Sequence, residues 1–217
     1  MFDEDQLKLL LEFYNHCYNT TPENEEASAG WCQSYYTYEV LQGLILGDER
    51  YEEKPWPSWL ADREKYRTHG PVRKHIAGKR STFKLLKEIG HLSDNLLICE
   101  IGYGMDLVIA MMVKEWNKVL SYDHNPYMEK GLVEFFVERH GVNLEFKCSP
   151  SNYYRFDEIN EPTIVLSNYC HVSVDVQAEN IKNNDNLIYV RDGEVIDKEL
   201  IPLDVAEFRK VFGRGYL

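Results

Sequence analysis

The sequence predicts an α/β fold: a mostly parallel sheet with helices on both faces, a helical N-terminal cap and a shortened C-terminal end. Two observations carry this. Apolar residues keep helical spacing through residue 90, then fall into short runs at 96–101, 118–123, 143–148, 163–167 and 186–191. Helical patterns at about 105–117 and 126–140 separate the first three runs, the alternation expected of parallel strands joined by crossover helices. The organisation read from this is a cap over residues 1–90 and a sheet domain over 91–217.

In the cap, Leu7, Leu10, Leu11, Tyr14 and Cys17 keep one helical face behind acidic residues that suit a helix start. Trp31, Tyr35, Tyr38, Leu41 and Ile45 form a second stripe, with Gly47 as its stop. Pro55-Trp56-Pro57 marks a rigid loop. A third, interrupted stripe runs through Val72, Ile76, Phe83, Leu86 and Ile89 to Gly90. Aromatic residues at such spacing read mainly as core, with Tyr36, off the stripe, and the Trp56/Trp59 loop as candidates to close over a substrate. Beyond the fifth strand, Asp192-Gly193 reads as a hairpin turn into a partner strand over 194–197, and 205–212 as a short final helix.

Composition narrows the class. A chain of 217 residues with 44% apolar and 13% aromatic content can bury a sizeable core. No window has the roughly 18 apolar residues that a membrane span needs. The acidic start, Met1-Phe2-Asp3-Glu4-Asp5, differs from a basic or amphipathic targeting segment, so a cytoplasmic protein is expected. Cysteines 17, 32, 99, 148 and 170 form no CxxC pair and no zinc spacing, which predicts reduced, mostly buried thiols and no metal. A net charge of −12 disfavours nucleic acid as a partner. The charge is uneven: residues 1–62 hold 13 acids and 3 bases, whereas 63–84 hold eight bases and one acid. That basic segment is read as a solvated helix face, with a phosphorylated or acidic substrate as the alternative.

The chemistry concentrates in Leu97-Ile98-Cys99-Glu100-Ile101-Gly102-Tyr103-Gly104-Met105-Asp106. An apolar run ends in an acid, and two glycines then permit a tight turn and close backbone approach. The next run, Lys118-Val119-Leu120-Ser121-Tyr122-Asp123, also ends in an acid. A dinucleotide fingerprint would need a third glycine where Leu107 stands. Glu100 and Asp106 would also place negative charge beside a diphosphate. A cationic nucleoside suits the two carboxylates better.

Glu100-Ile101-Gly102-Tyr103-Gly104 resembles motif I of the class I, Rossmann-like S-adenosylmethionine-dependent methyltransferases. The resemblance covers about residues 95–192. It implies that Glu100 helps hold the methionine amino group of S-adenosylmethionine and that Gly102, Tyr103 and Gly104 pass close to the cofactor. By the same resemblance Asp123 bonds the ribose hydroxyls, His124 and Asn125 contact the adenine, and Ser149 and Asn152 lie near the adenine edge. Asn168 and Tyr169 would lie where the methyl acceptor sits, able to hydrogen-bond it, with Asn168 also facing the cofactor. There His171 is the natural candidate base for a methyl transfer that must lose a proton.

Three departures from the family pattern stand out. Asp106 replaces the third glycine and is expected to cap the helix. Ser167-Asn168-Tyr169-Cys170-His171 replaces the acidic or proline-rich signature after the fourth strand, and no acid at 167 or 168 offers a magnesium ligand. The tail is too short for the customary helix and closing hairpin. The expected function is methyl transfer to a small or phosphorylated acceptor. The alternatives are a catalytically degenerate S-adenosylmethionine-binding or interaction protein of the same fold and, less favoured, a nicotinamide-dependent enzyme. The acceptor and the oligomeric state are not encoded in any motif.

Overall fold

The computed structural model describes residues 2–20, 35–47, 50, 72–99, 104–123, 128–148, 156–167, 178–191 and 193–201. Three long helices come first: α1 (Glu4–Asn19), α2 (Tyr35–Leu46) and α3 (Val72–Ile89). α1 starts on a capping box, in which the Asp3 carboxylate accepts from the Gln6 amide and the Gln6 side chain accepts from the Asp3 amide, both at 2.9 Å. Its buried face is Leu10, Phe13, His16 and Cys17, so Leu11, read from spacing as part of the stripe, points outward and is exposed. α2 ends as predicted at Gly47, which takes a φ of 85° while its amide donates to the Gly43 carbonyl at 3.1 Å.

The sheet contains β1 (Asn95–Cys99), β2 (Lys118–Asp123), β3 (Leu144–Cys148), β4 (Thr163–Leu166), β5 (Leu187–Arg191) and β6 (Glu194–Val195). Their order is β3-β2-β1-β4-β5-β6, parallel except for β6, which turns back antiparallel on β5 through Gly193 at φ 84°. Each strand run in the sequence has its counterpart, and the α/β class and mostly parallel sheet are as predicted.

Between strands lie α4 (Met105–Met111), α5 (Met128–Leu132), which continues as wider π-type turns over Val133–Arg139, and α6 (Ala178–Asn183). α4 is shorter than the 105–117 read from the pattern. Beyond it, the Trp116 indole N–H donates to the Ala110 carbonyl at 3.0 Å, so the chain folds back on the helix end instead of extending it. The π-type turns were not foreseen. They bury two consecutive phenylalanines, Phe135 and Phe136, whose rings stand 5.0 and 5.5 Å from Phe13 of α1.

Alternation along the strands builds two cores. On one face, Leu96, Ile98, Val119, Ile164, Leu166 and Val190 join side chains from α1 to α4 and from Leu132, Phe135 and Phe136. On the other, Leu97, Cys99, Tyr122, Val165 and Tyr189 meet Phe156, Ala178, Ile181 and Ile201. The three N-terminal helices thus share one apolar core with the sheet. The Cys17 and Cys99 side chains are buried, as expected for small apolar thiols. Among the described residues no helix is long and apolar enough to cross a membrane.

Candidate functional site

Strand order reverses between β1 and β4, since the chain runs outward through β2 and β3 on one side and through β5 and β6 on the other. In open parallel sheets, the crevice at such a switch point, outside the carboxyl ends of the strands, is where ligands bind. β1 ends at Cys99, whose register partner on β2 is Tyr122. Asp123 follows directly and pairs with Cys148 of β3. The backbone therefore brings Asp123 to the carboxyl edge of the sheet, next to the end of β1. Of the remaining candidate residues, Glu100, Gly102, Tyr103, His124, Asn125, Ser149, Asn152, Asn168, Tyr169 and His171 lie outside the described residues. So do Trp31, Trp56, Trp59 and residues 202–217, and the side chain of Tyr36 is likewise not described. Tyr38 belongs to the core reading, since its hydroxyl donates to the Cys17 carbonyl at 3.1 Å and its ring stands edge-on to Tyr14.

Gly104 is the described part of the glycine turn. It sits at the N-terminus of α4 with φ 61°, a left-handed conformation that favours glycine. A Cβ there would come within 3.0 Å of both Leu132 Cδ2 and Phe13 Cζ. This glycine is required by the core beneath the turn as well as by the turn itself.

Asp106 does not cap α4. The N-cap residue is Gly104, which has no side chain to offer, and the Asp106 carboxylate turns into the interior. There its Oδ1 lies 2.7 Å from Nζ of Lys79, with the two side chains only 1% and 3% exposed. Lys79 occupies the buried face of α3 with Val72, His75, Ile76, Thr82, Phe83 and Leu86. One member of the basic segment is therefore a core residue, in contrast to the solvated face expected from composition. Arg73, Lys74 and Lys84 of the same helix are exposed, and Arg80 donates to the Gly43 carbonyl at 3.1 Å. With Asp106 paired to Lys79, its charge no longer weighs against an anionic ligand at the turn.

Two features were not anticipated from the sequence. Arg191, at the end of β5, is buried, as is Ser167 beyond the end of β4. Leu166 pairs with Val190, so Ser167 and Arg191 follow neighbouring register positions at the carboxyl edge. A basic residue closing an apolar strand run is the only sequence signal for Arg191. A groove of about 420 Å³ also opens over Leu97, Leu120 and Tyr122, flanked by Glu145, Lys147 and Glu158. Burial raises the Tyr122 phenol above its usual range, with the Lys147 ammonium opposing. The groove reaches Asn95, Lys118 and Thr163 at the amino ends of the strands. Among the described residues no group of acids, histidines and cysteines could hold a metal ion.

No protein-family model matches this sequence, and comparison with curated proteins and with solved structures likewise returns no match.

Proposed function

We propose that this protein is an S-adenosylmethionine-dependent methyltransferase acting on a small or phosphorylated acceptor. One observation carries the reading: a left-handed glycine, Gly104, opening the helix that follows the central strand β1, with a carboxylate-bearing residue, Asp123, ending the adjacent strand β2. A nucleoside cofactor needs both elements on one edge, a backbone it can approach closely and an acid for its ribose hydroxyls. The order β3-β2-β1-β4-β5 sets that edge at a switch point.

In this reading Glu100 holds the methionine amino group, Gly102, Tyr103 and Gly104 form the turn, and His124, Ser149 and Asn168 complete the cofactor contacts. Tyr169 and His171 face the acceptor, His171 as base. Methyl transfer is an in-line displacement on the sulfonium carbon, so orientation and exclusion of water supply most of the acceleration. The exposed Arg73, Lys74 and Lys84 supply the positive charge that a phosphorylated acceptor would meet.

S-adenosylhomocysteine should raise the melting temperature of the protein, and Asp123→Ala should abolish the rise while leaving the circular dichroism spectrum intact. A variant that binds as well as the parent would refute the cofactor assignment. Binding without transfer to any member of a broad acceptor panel would identify a degenerate binding protein instead.

A further inference from the structure

We propose that the buried Lys79–Asp106 pair is a positioning device that fixes the first turn of α4, and with it the glycine turn that opens the cofactor site. The role in binding rests on the methyltransferase reading above; the role in holding the turn does not.

α4 is held at its far end by two neutral hydrogen bonds. Gln6 Nε2 of α1 donates to the Met112 carbonyl at 3.1 Å, and Trp116 Nε1 donates to the Ala110 carbonyl at 3.0 Å. At its near end the Gly104 carbonyl accepts the ordinary helical bond, from the Val108 amide at 3.0 Å. Gly104 brings no capping side chain. Below it Phe13, Leu132 and Phe136 give apolar contact, which resists compression but has no direction. The 2.7 Å contact from Asp106 to Lys79 gives this end a directional constraint.

An ion pair is a costly way to gain stability in such a place. Desolvating both charges offsets most of their attraction, and apolar residues of similar size often replace a buried pair without loss. What the pair supplies that an apolar contact cannot is a fixed distance between two named atoms. Lys79 is rooted midway along α3, whose own apolar face is packed into the core. Asp106 lies two residues beyond Gly104, so a displacement of the carboxylate moves the turn with it. The pair also removes the negative charge that Asp106 would otherwise place beside the turn.

The test uses the full-length protein with Lys79→Met/Asp106→Leu, an apolar exchange of similar volume, and Lys79→Gln/Asp106→Asn, a neutral hydrogen-bonding exchange. Melting temperature, hydrogen exchange of the Val108 amide and affinity for S-adenosylhomocysteine are measured for each. The expected result is a near-parental melting temperature in at least one double variant, faster exchange at Val108, and affinity weakened about tenfold or more, the scale of a small misplacement in a binding site. A purely structural pair would leave exchange and affinity at parental values once stability is restored, and that outcome overturns the proposal. Failure of both double variants to fold also overturns it, because the pair would then be needed for the fold itself. If the parent does not bind S-adenosylhomocysteine, the methyltransferase reading fails, and exchange at Val108 alone decides the positioning role.

Discussion

Lys79 Nζ and Asp106 Oδ1 meet at 2.7 Å inside the protein, joining the middle of the last cap helix to the first turn of the helix after β1. Each residue is an exception within its own pattern. Lys79 interrupts an apolar stripe, and Asp106 stands where the resembled motif has glycine. Together they are consistent, because each supplies the charge the other needs in a site shielded from water.

Breaking this pair on one side should be far worse than replacing both members. Lys79→Met leaves a buried carboxylate without its cation, and a loss of about 3–5 kcal/mol is expected. Urea unfolding of the single and double variants measures this. Equal losses in both would show that the ionic contact itself is unimportant.

Gly104→Ala should destabilise by about 2–4 kcal/mol. The left-handed backbone contributes part of this. The rest comes from overpacking, since the new Cβ would stand 3.0 Å from Leu132 Cδ2 and Phe13 Cζ. Phe13→Leu should recover some of the loss if the aromatic ring is the obstacle. The double-mutant cycle for Gly104→Ala and Phe13→Leu measures that coupling.

His16 predicts an acid-sensitive fold. Its Nε2 donates to the Gly131 carbonyl at 3.0 Å, joining α1 to α5. Burial holds its pKa below the ordinary imidazole value, with Arg139 acting in the same direction and the Gly131 bond and Glu134 opposing. The unfolded chain therefore binds the proton more readily. Stability from the neutral imidazole is present above the ordinary value of 6.5 and declines as pH falls through and below it. His16→Gln, which keeps an N–H donor, should flatten this part of the stability–pH curve. An unchanged slope in that variant would refute the assignment.

The Cys17 and Cys99 side chains are fully buried. Under native conditions both should resist a thiol reagent and become reactive only in denaturant, as mass spectrometry of the labelled peptides would show. Prompt native labelling of Cys99 would mean that the carboxyl end of β1 opens far more often than its packing implies.

Most of the fold was legible because its signals are local. The apolar runs of β1 to β5, the stop at Gly47 and the return of β6 on β5 through Gly193 each follow from the period and turn chemistry of a few neighbouring residues. The misread details had non-local causes. α4 ends early because Trp116 folds back on Ala110, Leu11 turns outward because Phe13 takes the buried face, and the wide turns over Val133–Arg139 accompany the packing of Phe135 and Phe136 on Phe13.

The candidate site divides in the same way. Sequence by itself determined the α/β class, the strand runs, the glycine turn after β1 and the acid that ends β2, because periodicity and punctuation are written along the chain. Only the tertiary structure decided what Asp106 does. A carboxylate in the first turn of a helix reads as a cap or a solvated charge. Whether it is instead neutralised depends on which distant side chain the packing of α3 brings to it, and no local pattern carries that information.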